Sequence, residues 1–165
     1  MNERDIGNYI GGACALDPAV ITAGAGNNGV QVTGPYVDIT KIATAPKLPR
    51  AVALLLAWKA VLSATYTLSL AAKFLDATDG SGTGAANYVG EANTQQVASL
   101  ATTVVAIGPT GGGTVRGATK IACDLVPCRG FIAAAVTATL SNIATDTVAI
   151  AGTFIFAGFD ELPPT

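Results

Sequence analysis

The 165-residue chain has no histidine, and this absence removes several classes of chemistry at once. Ser-His and Cys-His nucleophile pairs need an imidazole base, as do the histidine-containing zinc sites. Histidine is also the commonest general base near neutral pH. We therefore expect a protein that is not an enzyme and that holds no cofactor and no metal ion.

Charged residues are also scarce, at 12% of the chain against about 25% in typical soluble domains. Nine Lys and Arg against eleven Asp and Glu leave a net charge of −2. The cations are scattered from Arg4 to Arg129, so no basic stripe is present to neutralise phosphates, and we expect no nucleic-acid binding. Such a low charge content is typical of a chain that buries much of its surface in an assembly.

A long hydrophobic run is missing as well. The most apolar stretch, Ala51–Leu62, contains Lys59 and is shorter than the roughly 20 residues that a membrane-spanning helix needs. Glu3 and Asp5 interrupt the N-terminus, where a signal peptide would be basic and then apolar. We expect neither a membrane span nor an export signal.

The three cysteines, Cys14, Cys123 and Cys128, form an odd set without a disulfide framework, which fits synthesis in a reducing cytoplasm. A four-ligand zinc site would need carboxylate ligands in addition to the cysteine thiolates. We interpret the three as free, buried thiols. A Cys123–Cys128 disulfide is sterically conceivable across a turn, but nothing in the sequence favours it.

What the sequence does contain is alternation with period two. It is clearest over Ala64–Phe74, where apolar and polar residues separate onto two faces, as in a half-buried strand. Ala51–Leu62 continues the same parity but is apolar on both sides, so an Ala/Leu helix is the alternative. Pro46 and Pro49 precede this stretch and no capping residue opens it, which favours a strand.

Eight further segments have strand-like patterns, and four glycine- or asparagine-rich segments separate them as turns. The strand candidates are Ala19–Thr22, Val30–Thr33, Tyr36–Ile39, Val97–Leu100, Val104–Ile107, Lys120–Val126, Phe131–Leu140 and Val148–Ala157, and the turns are Gly24–Gly29, Asp79–Gly84, Gly108–Gly113 and Ser141–Asp146. Many short strands with regular turns predict an all-β sandwich or barrel, which we place over residues 18–165 as one domain. Residues 1–17 are weakly patterned and predict an N-terminal arm.

Two glycine-rich motifs resemble ligand sites only in part. Gly24–Gly29 matches the dinucleotide-binding GxGxxG pattern, but the β-like Val30–Thr33 follows it instead of a helix, so we predict a hairpin loop. Asp76–Gly84 has the acidic character of a calcium loop. Its ligand spacing is wrong and its twelfth position is Asn87, so we predict a plain turn.

Two segments resemble a known group of proteins. Ala64–Gly84 (ATYTLSLAAKFLDATDGSGTG) is a threonine-flanked strand that runs into an Asp-Gly loop. Arg129–Pro163 is a strand, a Ser/Asn/Thr/Asp turn, an apolar strand and a terminal Asp-Glu-Leu-Pro. This order resembles that of virion structural proteins of tailed bacteriophages, especially the decoration or cement proteins on the capsid exterior.

The resemblance implies an antiparallel β-sandwich of the jelly-roll kind without catalytic apparatus. It implies binding to the major capsid protein and to copies of itself as a trimer, on the capsid exterior, after synthesis in the bacterial cytoplasm. The contacts would come from the N-terminal arm and the glycine loops, with Arg4, Tyr9 and Ile10 as anchors, since Arg and Tyr contribute strongly to interfaces. An arm that is merely frayed is the alternative.

Two other functions stay open at this point. A tail, neck or fibre-associated virion component would differ in the ring symmetry that it adopts. A carbohydrate- or cell-surface-binding module would display aromatic side chains on a sheet face. Here the aromatic residues lie within strongly apolar strands and are predicted to be core: Trp58, Tyr66, Phe74, Phe154 and Phe156.

Overall fold

A computed structural model describes residues 10–42, 48–90 and 98–158 of the chain. These residues form ten strands and, within the same ranges, no α-helix. The strands are β1 (Gly11–Thr22), β2 (Gln31–Thr33), β3 (Val37–Asp38), β4 (Ala51–Leu62), β5 (Thr67–Ala77), β6 (Ala86–Tyr88), β7 (Ser99–Ile107), β8 (Gly113–Asp124), β9 (Phe131–Leu140) and β10 (Thr147–Ala157). A short 3-10 helix at Ile39–Lys41 follows β3.

The strands form two antiparallel sheets. The first sheet has the order β1-β10-β4-β8. In the second, β9 and β5 are central, β2 and β3 pair with β9, and β6 and β7 pair with β5. Apart from the β2–β3, β5–β6 and β6–β7 steps, each strand is followed by one in the other sheet. A four-stranded and a six-stranded antiparallel sheet joined by such crossings form a jelly-roll-like sandwich, so the predicted all-β sandwich is confirmed.

The core lies between the two sheets and follows from the alternation of each strand. In β4 the even-numbered residues, such as Leu54 and Leu56, are buried, and in β10 Phe154 and Phe156 are fully buried. Phe154 packs against Phe74 of β5 with ring centroids 6.1 Å apart, which joins the two sheets. Each fully buried side chain of this size contributes roughly 1.5–3 kcal/mol through its removal from water.

Ala51–Leu62 is a strand, so that prediction is confirmed and the helical alternative is wrong. Its side chains face the core on one side only, and β10 and β8 pair with it along both edges. The strand predicted over Ala64–Phe74 instead begins at Thr67, because Thr65 has a positive φ of 66° in the turn before it. Tyr66 is therefore 44% exposed rather than core.

Two further boundaries differ from the pattern. The separate candidates Val97–Leu100 and Val104–Ile107 merge into β7, whose pairing with β5 is interrupted by two register shifts. These β-bulges break the alternation that a continuous strand would show. β8 begins at Gly113, whereas the sequence pattern predicts a start at Lys120. The pattern misses the first half of the strand because Gly117 and Ala118 carry no hydrophobic signal.

The predicted arm boundary at Asp17 is wrong for residues 11–17. They belong to β1, which pairs with β10 from Gly11 to Thr22. Pro18 and the register shifts between Cys14 and Ala19 weakened the strand pattern in the sequence. In the parts of the chain that the structure describes, no helix is long and apolar enough to cross a bilayer.

Candidate functional site

The outer face of the first sheet is not covered by any strand in the part of the chain that the structure describes. It consists of the side chains that alternate with the core residues of β4, β10, β8 and β1. We define this outer face by the residues Gly12, Cys14, Asp17, Val20, Ala51, Ala53, Leu55, Ala57, Lys59, Val61, Thr114, Arg116, Ala118, Lys120, Ala122, Asp124, Thr147, Ala149, Ala151, Thr153, Ile155 and Ala157.

Most of this face is small and uncharged. Six alanines on this face are half-buried or exposed and are called the alanine patch, although the row of Thr153, Leu55 and Lys120 crosses it: Ala53, Ala57, Ala118, Ala122, Ala149 and Ala151. Larger apolar side chains stand among them, with Val61 48%, Leu55 38% and Ile155 36% exposed. Contiguous apolar surface of this kind marks interaction sites in soluble proteins.

Three cations lie on the β8 side of the face. Lys59 of β4 is directly opposite Arg116 of β8, and Lys120 is directly opposite Leu55. Residues that are directly opposite in neighbouring strands share a face of the sheet, with Cβ atoms about 5 Å apart. The alanine patch therefore has a positively charged edge.

The outer face of the second sheet offers a shallow groove of about 250 Å³ between β5, β7 and β9. It is lined by alanines and Ser99 together with Leu100, Lys73, Gln31 and Thr137. No carboxylate lies among its lining residues, and no group of three metal-ligating side chains occurs in the described ranges. The groove contains no acid–base pair for catalysis.

Of the predicted anchors, Ile10 is described and is 48% exposed immediately before β1. Arg4 and Tyr9 lie outside the described residues. The aromatic residues Trp58, Phe74, Phe154 and Phe156 are buried, as predicted.

The three cysteines are free thiols, but they differ in exposure. Cys14 is exposed on the outer face, so the prediction that it is buried is wrong; β1 is an edge strand and its side chain points to solvent. Burial raises the pKa of Cys123 to about 12 and raises the pKa of Cys128 as well. These two side chains are therefore neutral thiols at physiological pH and not nucleophiles.

Two carboxylates, one at the end of β5 and one in the Asp-Gly loop that follows it, are engaged by neighbouring groups of the protein. The pKa of Asp79 is lowered by hydrogen bonds from the Thr83 side chain and from the backbone N–H groups of Thr83 and Ser81, the latter two at 3.1 and 2.9 Å. Asp76 is buried and forms a bidentate ion pair with Arg129 at 2.8 Å. Both oxygens of Asp76 thus serve to hold the loops together.

The Gly24–Gly29 loop is not a hairpin, because β1 and β2 belong to different sheets. Its asparagines join the sheets instead. Asn28 donates to Leu140 O and accepts from Leu140 N, at 3.0 and 2.7 Å, as a strand neighbour would. Asn27 bonds to the backbone of Val20 and Thr22 in the same manner.

A buried polar cluster at one end of the sandwich was not predicted. The Oδ1 atom of Asp146 accepts hydrogen bonds from Ser63 N, Ser63 Oγ and Asn142 Nδ2, at 2.9, 2.6 and 3.1 Å. Asp146 is only 2% exposed, and its Oδ2 has no partner among the described residues. The only sequence signal was the position of the Asn and Asp just before a strong strand. The cluster fixes the β4–β5 turn to the β9–β10 turn.

No protein-family model matches the sequence, and no curated protein matches it. A solved structure of infectious bursal disease virus, Gx strain, aligns with 94% of this chain and 33% of its own, at 13% identity and a TM-score of 0.44. The crystal structure of the infectious bursal disease virus VP2 subviral particle aligns with 92% and 41%, at 14% identity and a TM-score of 0.23. The chain thus spans less than half the length of these two chains.

Proposed function

We propose that this chain is a non-enzymatic structural protein of a virion, and more narrowly a capsid decoration or cement protein of a tailed bacteriophage. The observation that carries the proposal is the outer face of the first sheet, with its alanine patch and exposed Leu55 and Ile155. Burying small apolar side chains needs little desolvation of charge. Such a face is suited to contact with a neighbouring subunit of a particle.

The mechanism of a cement protein needs no reactive group. A rigid module that bridges neighbouring shell subunits binds the assembled shell more tightly than free subunits, and so stabilises the shell by mass action. The strands of this sandwich supply the rigid body. Of the arm that the sequence predicts over residues 1–17, the part that precedes β1 is, together with the glycine loops, the proposed contact with the major capsid protein on the capsid exterior.

Two other candidates receive less support. A tail, neck or fibre component would share the same fold and surface, and no specific observation favours it. A carbohydrate-binding module would use aromatic side chains as a platform. The four aromatic residues of β4, β5 and β10 are buried in the core, which does not fit that role.

The test uses phage-like shells that lack this protein. We expect the purified chain to co-sediment with assembled shells at a fixed ratio to the shell subunit, and to raise the temperature at which the shells fall apart. Unassembled shell subunits are the matched control and should bind weakly. Failure to bind shells, or equal binding to free subunits, would contradict the cement function.

A further inference from the structure

We infer that the outer face of the first sheet is covered by a second copy of this chain, related by a twofold axis that lies in the interface and runs along the strands. The inference rests on the proposed function, because it names the neighbouring subunit that covers this face. It draws on two features of the face, the position of its charges and the sizes of its side chains.

The cations of the face are not neutralised within the described part of the chain. Lys59, Arg116 and Lys120 have no ion-pair or hydrogen-bond partner there. Lys59 and Arg116 are directly opposite each other, and like charges in this position are destabilising. A carboxylate placed among the three would remove this cost. The acid on β8 itself, Asp124, is four residues from Lys120, about 13 Å along the strand.

A suitable carboxylate lies at the opposite edge of the same face. Asp17 of β1 is in the irregular stretch between Leu16 and Ala19, whose partners in β10 are Gly152 and Ile150. Asp17 is exposed, and Cys14 Sγ donates to its Oδ1 at 3.4 Å on the outer side. Three strand spacings, about 14 Å, separate β1 from β8, so Asp17 is too far from the cations of its own sheet.

Asp17 and the cations occupy the same level along the strands. The residue between Gly152 and Ile150 is Ala151, which pairs with Ala57, and Ala57 pairs with Ala118 of β8. Ala118 is midway between Arg116 and Lys120 in the sequence. Asp17 is therefore level with the midpoint of the two β8 cations.

A twofold axis along the strands, between β10 and β4, brings these groups together. This axis places β1 of one copy over β8 of the other, and each residue keeps its position along the strand direction. Asp17 of the second copy then lies over Ala118, flanked by Arg116 and Lys120, with Lys59 one strand away. The contact occurs twice, as the symmetry of an isologous interface requires. Near-parallel strands in the two facing sheets match the aligned class of sheet packing.

The same axis also matches side-chain sizes. It lays β4 of one copy over β10 of the other, so Leu55 faces Thr153, Ile155 faces Ala53 and Ala57 faces Ala151. Each larger side chain thus meets a smaller one, which is the arrangement that lets two layers interdigitate. The face is complementary to itself in both charge and shape.

The test is the oligomeric mass of the full chain by sedimentation equilibrium. We expect twice the chain mass of 16.4 kDa, with dissociation promoted by high salt. Asp17→Lys alone, or Arg116→Glu with Lys120→Glu, should raise the dissociation constant about tenfold or more. Combining all three substitutions exchanges the charges and should restore the dimer. Lys73→Glu is the control, because Lys73 lies on the second sheet.

A second variant separates association from folding. Ala57→Arg places a large cation at the centre of the face without touching the core, so it should give a folded monomer, with unchanged circular dichroism and urea midpoint. A monomer at every concentration, a trimer of the kind that the resemblance implies, or a dimer that ignores the charge exchange would overturn the inference. A monomer that binds shells would support the proposed function and contradict the dimer. A dimer that does not bind shells would contradict the proposed function and support the dimer.

Discussion

At the scale of single residues, Trp58 and Gly117 are directly opposite each other in β4 and β8 and pack closely. A Cβ atom at Gly117 would lie 2.4 Å from Cζ2 of the Trp58 ring. The indole occupies the space that any side chain at this position would need. Gly117 is thus required by packing and not by its backbone conformation.

Gly117→Ala should therefore destabilise the fold by about 1–3 kcal/mol, the usual cost of overpacking, because the buried indole has to move. Urea unfolding followed by circular dichroism measures the change. Gly111→Ala is the matched control, since a Cβ there meets nothing within 4 Å. Equal effects of the two substitutions would contradict the packing argument.

Asp146 supports a second prediction at this scale. Asp146→Ala removes an acceptor from Ser63 and Asn142 and leaves the part-buried Ser63 N–H without the carboxylate that it donates to, which should cost about 1–3 kcal/mol. Asp146→Asn keeps one oxygen acceptor in place and should cost less. Comparing the urea midpoints of the two variants tests this order. If Asn is as harmful as Ala, hydrogen bonding at Oδ1 is not what holds the two turns together.

At the scale of elements, β4 and β10 could be predicted from alternation because each packs against the core along its whole length. β6 could not, since three residues are too few to show a period. The outer face could be predicted only in part. Its alternating residues were visible, but the alignment of Arg116 with Lys59 depends on register, which no local pattern encodes.

Strand β7 differs from the two edge strands of the first sheet, β1 and β8, in its lack of charge. β8 carries Arg116 and Lys120, and β1 carries Asp17 and Pro18, all of which discourage pairing with other chains. Ser99–Ile107 contains no charged residue and no proline, and Val104 is 53% exposed. The two bulges are its main protection against edge-to-edge aggregation.

A single lysine on this edge should therefore improve solubility. We expect Val104→Lys to reduce aggregation during refolding from urea, measured by light scattering, with little change in the urea midpoint. Val30→Lys adds the same charge at a 49% exposed valine outside the strands, and is the control. Equal suppression by both variants would assign the effect to net charge and not to the edge.

At the scale of the whole molecule, the topology joins distant parts of the chain. β1 pairs with β10, so Gly11 lies opposite Phe156. β4 lies inside the first sheet between β10 and β8, and both of these neighbours come much later in the sequence. These pairings could not be predicted from the sequence, because strand patterns show which face is buried but not which strand is the neighbour.

The same topology predicts slow folding. Long loops must close before non-local strands can pair, and sandwiches of this kind fold in milliseconds to seconds, not microseconds. Trp58 is the only tryptophan and is 8% exposed, so its fluorescence reports the formation of the core. We expect stopped-flow refolding at low protein concentration to show the main fluorescence change on this timescale, with the same rate by circular dichroism. A change completed within the dead time of mixing would mean that local contacts around β4 form the core, and would contradict a folding transition state that depends on pairing distant strands.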